Sequence, residues 1–268
     1  MPLTIITSPK NPICKLIASL QQRKFRQEYR QFVLEGLRGV RDAAEAGWRP
    51  VFYIVSDHFF SQQHSGDLME MMEKQAVNGY RVPNSLMKKL SNTETPQGLM
   101  AVFSTPLYAL ADLLQHPAGF WLVLDRIQDP GNLGTLIRSA EGAGATGVLL
   151  THGTTDPYSA KALRAATGAV LHLPVIELSE AASDCRMLKE AGMSLVGAAL
   201  EEGISYHQAA YQLPLALIIG NEANGIAETI LERVDHRVTI PMKGRLQSLN
   251  ASIAGSILLF HMSEKLEI

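Results

Sequence analysis

Residues 215–226 read LALIIGNEANGI. The run from Leu215 to Ile219 is apolar without alternation, which suits a strand of a parallel sheet covered on both faces. It ends abruptly in Gly220-Asn221-Glu222 and then the turn pair Asn224-Gly225. Gly220 lets a ligand approach the backbone closely. A plain strand-to-helix turn, with Glu222 favoured by a helix dipole, would explain the same residues.

Working outward, the same kind of run recurs as WLVLD (121–125), GVLLT (147–151), SLVGAAL (194–200) and HRVTI (236–240). Helical spacing between the runs predicts helices over 133–142, 159–167, 180–191, 227–233 and 251–265. Alternating strands and helices predict an α/β domain with a parallel sheet over 120–268. Residues 106–119, with Pro106, Pro117 and Gly119, read as a linker. Residues 1–105 read as a smaller α/β unit. It has a basic helix over 13–29, Val40, Ala43 and Ala44 at helical spacing before Gly47 as a C-cap, strands at 51–56 and 99–103, and a helix over 68–75.

Composition narrows the class. The chain has 268 residues, 46% apolar and 19% charged, and two cysteines. That suits a globular protein without a disulfide scaffold or structural metal. No run reaches the roughly 18 apolar residues of a membrane helix, and the start lacks a signal-peptide core, so a cytoplasmic location is expected. The net charge of -2 is unevenly spread, with nine basic and four acidic side chains in residues 1–50. Such a basic segment on an acidic body suggests an anionic partner, although a solvated helix face would look alike. Arg23, Lys24, Arg26 and Arg30 are the candidate phosphate contacts.

GAGATG at 142–147 matches the dinucleotide pattern G-x-G-x-x-G. The context is reversed, because a helix leads in and a strand leads out, and no acid stands about 20 residues on. A helix cap followed by a turn is expected instead, which disfavours a nucleotide-dependent oxidoreductase.

Two further segments join 215–226. DRIQDPGNLGTLIRSAEGAGA (125–145) puts a tight turn at the carboxyl end of a strand, where open α/β sheets place ligands. Asn132 is a candidate cap of the next helix, and Arg138 lies about one and two-thirds turns further on. TIPMKGRLQSLNASIAGSILL (239–259) ends a strand at Ile240-Pro241-Met242 and enters a small-residue helix that Ser248 or Asn250 could cap. Taken singly, each segment has an ordinary structural explanation.

Taken together, in this order and spacing, the segments resemble the SpoU (TrmH-like) branch of the SPOUT RNA 2′-O-ribose methyltransferases. Asn132, Gly134, Arg138 and Ser139 resemble its N-x-G-x-x-x-R-S motif. Ile219, Gly220, Asn221, Glu222 and Gly225 resemble I-G-N-E-x-x-G. Ile240, Pro241, Met242, Ser248, Leu249, Asn250 and Ser252 resemble I-P-M…S-L-N-x-S. The segment around Arg164 is also similar, with Thr167 in place of the family's serine. FVLEGLRGVRDAAEAG and ETPQGLMAV look like the family's N-terminal domain.

The resemblance implies a catalytic domain with a parallel sheet and a deep trefoil knot. It also implies an L30e-like N-terminal substrate domain and a homodimer through the knotted domain. It implies S-adenosylmethionine as cofactor, held by Gly220, Asn221, Ile240, Met242 and Leu249. It implies catalytic roles for Arg138, Asn132, Glu222, Ser248 and Asn250, and RNA contacts by Arg164 and the basic N-terminal residues. The implied substrate is rRNA of 23S type in preference to tRNA. An antibiotic-resistance rRNA methyltransferase of the same family and a catalytically silent RNA-binding protein are the alternatives. The proton acceptor is left open among a phosphate oxygen, water and a transiently neutral guanidine.

Overall fold

A computed structural model describes residues 3–62, 65–115, 118–200 and 202–268. The chain forms two compact units, Met1–Pro106 with Tyr158–Leu163, and Leu107–Pro157 with Arg164–Ile268.

The first unit carries β1 (Thr4–Ile5), β2 (Gln31–Glu35), β3 (Phe52–Ser56), β4 (Asn78–Val82) and β5 (Leu99–Ser104). They form a mixed sheet in the order β1-β4-β3-β5-β2. Its helices are α1 (Pro12–Ser19), α2 (Arg23–Tyr29), α3 (Leu37–Glu45), α4 (Asp57–Phe60), α5 (Ser65–Lys74) and α6 (Asn84–Leu90). Ile17, Leu20, Ile54, Met87 and Met100 belong to its core. Gly47, at φ +84°, ends α3 as read from the sequence. Trp48 N donates to Ala43 O and Gly47 N to Ala44 O, a Schellman pair.

The single basic helix expected over 13–29 is two helices. Asn11 caps α1 through Ile13 N, and Pro12 sits at its first position. At the far end Ser19 Oγ bonds back to Leu16 O at 2.8 Å, and the chain turns through 20–22. Arg26 Nη1 donates to Leu20 O at 2.7 Å, and Arg26 is 8% exposed. Arg26 is therefore corrected from a phosphate contact to a structural residue that closes the α1–α2 corner. Arg23, Lys24 and Arg30 are exposed.

The second unit carries β6 (Phe120–Leu124), β7 (Gly147–Leu150), β8 (Val175–Glu177), β9 (Ser194–Ala198), β10 (Ile204–Ser205), β11 (Leu215–Ile219) and β12 (His236–Thr239). All seven pair in parallel, in the order β10-β12-β9-β11-β6-β7-β8. Its helices are α7 (Leu110–Gln115), α8 (Pro130–Gly142), α9 (Ala160–Ala166, whose first residues belong to the first unit), α10 (Ala181–Glu190), α11 (Glu228–Leu231) and α12 (Ala251–Leu266). Every residue of β11 is buried, which is why that strand shows no alternation. Burying one such leucine or isoleucine stabilises by about 1.5–3 kcal/mol relative to exposure.

Three sequence expectations change here. Residues 106–119, read as linker, hold α7, whose Leu113 is in the sheet's core. The helix expected over 227–233 is the single turn α11. Asn132 does not cap α8; Asp129 does, accepting from Gly131 N at 2.7 Å and Asn132 N at 2.9 Å with Pro130 at the first turn. The glycines at 142–147 behave as expected of a cap. Gly144 has φ +72°, with Gly144 N bonded to Glu141 O and Ala145 N to Ala140 O.

Candidate active site

The carboxyl end of β11 opens onto a cavity of about 760 Å³, within the range of small-molecule sites. Its walls come from the carboxyl ends of three strands, from the segment before α12 and from α12 itself. Ala198–Leu200 continues β9, Ile219–Ile226 continues β11, Val238–Met242 continues β12, and Gln247–Leu249 precedes α12. Ala251, Ala254 and Leu258 of α12 complete the wall. All five residues read as cofactor contacts, Gly220, Asn221, Ile240, Met242 and Leu249, line this cavity, as do Glu222 and Ser248.

Why Gly220 is glycine differs from the sequence reading. A Cβ built there would lie 2.2 Å from both Gly225 C and Ile226 N. The close approach is made by the loop folding back on itself. Asn221 and Gly225 exchange backbone bonds at 3.0 and 2.9 Å. Asn221 Oδ1 accepts from Ala223 N and Asn224 N, at 3.0 and 3.1 Å. The loop is a small self-bonded hairpin, and Gly225 at φ +65° completes it.

Glu222 ties this hairpin to the segment before α8. Its carboxylate accepts from Asn132 Nδ2 at 2.9 Å, Gln128 N at 3.2 Å and Asp129 N at 3.3 Å. Asn132 Oδ1 in turn accepts from Asn250 Nδ2 at 3.1 Å. Asn250 caps α12, its Oδ1 accepting from Ser252 N at 2.8 Å and Ile253 N at 3.3 Å. One chain of hydrogen bonds thus joins Glu222, Asn132 and Asn250, one residue from each of the three motifs. Of the two caps considered for α12, Asn250 makes the bonds and Ser248 lines the cavity.

Burial alone pushes the Glu222 carboxyl up, but the bonds from Asn132, Gln128 and Asp129 outweigh it and hold the group below the usual carboxylate range. A depressed folded-state value means that this contribution is full above the unfolded value near 4.5 and is lost as pH falls through the folded one. The stability difference between wild type and Glu222→Gln should therefore be constant near neutrality and shrink below about pH 4.5. Thermal midpoints of both proteins across pH 7 to 3.5 check this. A difference that stays the same down to pH 3.5 would remove the ionised carboxylate from the account.

Arg138, on α8, is exposed and lies outside the cavity lining. Its Nη1 is 3.4 Å from Thr167 Oγ1. Thr167 has φ +48° and is the residue that stands in the serine position of the Arg164 segment. Arg164 is exposed on α9. Ser139, beside Arg138, bonds Ser256 of α12 at 2.7 Å.

Sequence reasoning missed Asp125, Arg126 and Asp129. Asp125 is 1% exposed and accepts from Thr151 Oγ1, Ala227 N and the Arg126 guanidinium. The signal was present: an acid that ends a buried apolar strand must be compensated. Asp129 could have been found as an N-cap followed by proline.

The fold agrees with comparisons to known proteins. A model of the SpoU rRNA Methylase family matches residues 119–260, and one of an MRM3-like substrate binding domain matches residues 11–101. The chain belongs to the SpoU rRNA methylase family. It is similar to the 23S rRNA (guanosine(2553)-2'-O)-methyltransferase RlmP of Bacillus subtilis strain 168, at 33% identity over 96% of this chain and 98% of that protein. It is also similar to an AdoMet-bound rRNA methyltransferase from Sinorhizobium meliloti. That structure is 31% identical, with 98% of each chain covered and a TM-score of 0.88. The SpoU methyltransferase AviRb from Streptomyces viridochromogenes, in complex with AdoMet, is 25% identical over 95% of this chain and 98% of that one, with a TM-score of 0.83.

Proposed function

We propose that the protein transfers the methyl group of S-adenosylmethionine to the ribose 2′-hydroxyl of one nucleotide in rRNA of the 23S type. The observation that carries this reading is the cavity walled by 219–226, 238–242 and 247–249, with Glu222, Asn132 and Asn250 bonded in series. The 2′-O named for the Bacillus subtilis relative and the AdoMet named for two similar structures support it.

The residues present fit the cofactor. Ile219, Ile240 and Leu249 offer apolar surface to an adenine, and the hairpin at 220–225 offers backbone groups to a ribose or amino-acid moiety. Bound there, S-adenosylmethionine would supply a methyl group already made electrophilic by its sulfonium. The protein's task is alignment and charge placement. Arg138, a permanent cation with a planar donor fork, stabilises the developing 2′-alkoxide and an adjacent phosphate. Asn132, Glu222, Ser248 and Asn250 hold the loops that orient the ribose.

On this reading Arg23, Lys24 and Arg30, all exposed, contact RNA phosphates, and exposed Arg164 adds a further cation. Replacing Arg23, Lys24 and Arg30 together should flatten the salt dependence of RNA binding. Log affinity against log salt should lose roughly 0.7–0.9 of slope per lost contact. Cofactor affinity should be kept. An unchanged slope would return these residues to a solvated surface.

The dimer belongs to the same reading. Ile253 (52% exposed), Ile257 and Phe260 (52%) are spaced i, i+4, i+7 on α12, so they share one face. A second copy of the chain covers that stripe. No helix among the described residues is long and apolar enough to cross a membrane, and action on rRNA places the enzyme in the cytoplasm. The functional reading is tested by mapping 2′-O-methyl positions in RNA from cells with and without the protein. One rRNA position should lose its methyl group; an unchanged rRNA map would overturn the substrate assignment.

A further inference from the structure

We propose that Asp125 and Arg126 are positioning residues that set the cofactor-side hairpin, and that they govern cofactor affinity separately from the chemical step. The inference rests on the reading that the cavity holds S-adenosylmethionine.

The two residues sit where β6 ends. Asp125 continues the sheet, its N donating to Ile219 O at 2.8 Å. Its buried carboxylate takes Ala227 N at 2.8 Å and Thr151 Oγ1 at 2.9 Å. Arg126 closes the remaining valences, with Nη2 at 2.9 Å from Oδ2 and Nε at 3.1 Å from Oδ1. Such a two-pronged pair fixes orientation as well as charge.

Arg126 then reaches the hairpin twice. Its Nη2 also donates to Gly225 O at 3.2 Å, and its own carbonyl accepts from Asn221 Nδ2 at 2.8 Å. The dipeptide thus grips the hairpin at Asn221, at Gly225 and just beyond it at Ala227. Arg126 holds φ +54° to do so, a left-handed conformation that a non-glycine residue keeps only where its surroundings enforce it.

The grip is asymmetric. The hairpin is a wall of the cavity and meets α8 through the Glu222–Asn132 bond, whereas α8, which carries Arg138, is held besides by its own Asp129 cap and by buried Leu133, Leu136 and Ile137. Loosening the dipeptide should therefore disturb the cofactor wall and leave the arginine helix in place.

The test uses the full chain. Calorimetric titration with S-adenosylmethionine alone should show Arg126→Ala raising Kd by about 10–30-fold, as for loss of charge-assisted hydrogen bonds. Arg126→Lys should fall between the two, because an ammonium keeps the charge and loses the fork. Steady-state methyl transfer should show KM for the cofactor rising much more than kcat falls. Hydrogen exchange at the Ala227 amide should quicken in Asp125→Asn.

If Arg126→Ala does not fold, Arg126→Gln and Asp125→Asn carry the same readouts. Variant Kd values within about twofold of wild type, set against the scale of a lost hydrogen bond, would overturn the positioning role. So would a fall in kcat with unchanged KM. Failure of the wild-type protein to bind S-adenosylmethionine would instead overturn the cofactor reading.

Discussion

Arg138→Ala lowers single-turnover methyl transfer by about 10²–10³-fold at saturating cofactor, the size of losing one transition-state donor. The expectation follows from where the side chain is free to act. Arg138 stands on the helix that Asp129 caps and Glu222 ties to the cavity wall, and its contact with Thr167 Oγ1 is long at 3.4 Å. A guanidinium held this loosely can swing to an incoming ribose and phosphate. Were Arg138 only a surface polar residue, its loss would cost about 0–1 kcal/mol of stability and little activity. Arg138→Lys should rescue poorly, because a point-charge ammonium cannot span two oxygens as the fork does. Cofactor affinity should stay within about twofold of wild type, since the cavity lining does not include Arg138. Near-wild-type rates in Arg138→Ala would refute the catalytic role.

Gly220→Ala weakens S-adenosylmethionine binding by about 10–100-fold, because overpacking costs roughly 1–3 kcal/mol and each 1.4 kcal/mol is tenfold. The added methyl would meet the backbone of Gly225 and Ile226 at 2.2 Å. The Gly225–Ile226 peptide cannot rotate away as a side chain can, so the hairpin must open. That moves Asn221, Glu222 and Gly225 together, all of which line the cavity. Gly220→Leu should be worse still, and for the same reason. Titration of the folded variant settles the matter, and wild-type affinity in Gly220→Ala would contradict the packing argument.

The strands of the second unit were legible because burial on both faces leaves an unbroken apolar run. Leu215–Ile219 and Phe120–Leu124 are the plainest cases, each buried throughout. Shorter strands escaped: Val175–Glu177 and Ile204–Ser205 are too brief to show a period. Asn78–Val82 is only partly buried and contains glycine. The break between α1 and α2 was hidden because Leu20 continues the helical spacing, while the turn is fixed by Arg26 from outside it.

Strand order was not legible either. β11 lies between β9 and β6, and nothing in a hydrophobic period states which strand is inserted between which. A trefoil knot, likewise, is implied by the family resemblance alone and not by any hydrophobic period. For the site, residues of the second and third motifs come together as the lining of one cavity, and the first motif reaches it through Asn132. The motifs did not reveal that Asn132 bridges Glu222 and Asn250, because residues 132, 222 and 250 meet only through the fold. Nor did they separate Asn132 from Asp129 as the cap, since both are good N-cap residues and the choice was settled by Pro130.

Methylation at a ribose oxygen of rRNA is tested most directly by transfer of labelled methyl from S-adenosylmethionine to 23S-type rRNA, followed by alkaline hydrolysis. A 2′-O-methyl group blocks cleavage of the adjacent phosphodiester, so the account predicts that the label is recovered in an alkali-resistant dinucleotide, and that Arg138→Ala abolishes most of it. Label recovered in mononucleotides, as for a methylated base, would contradict the account.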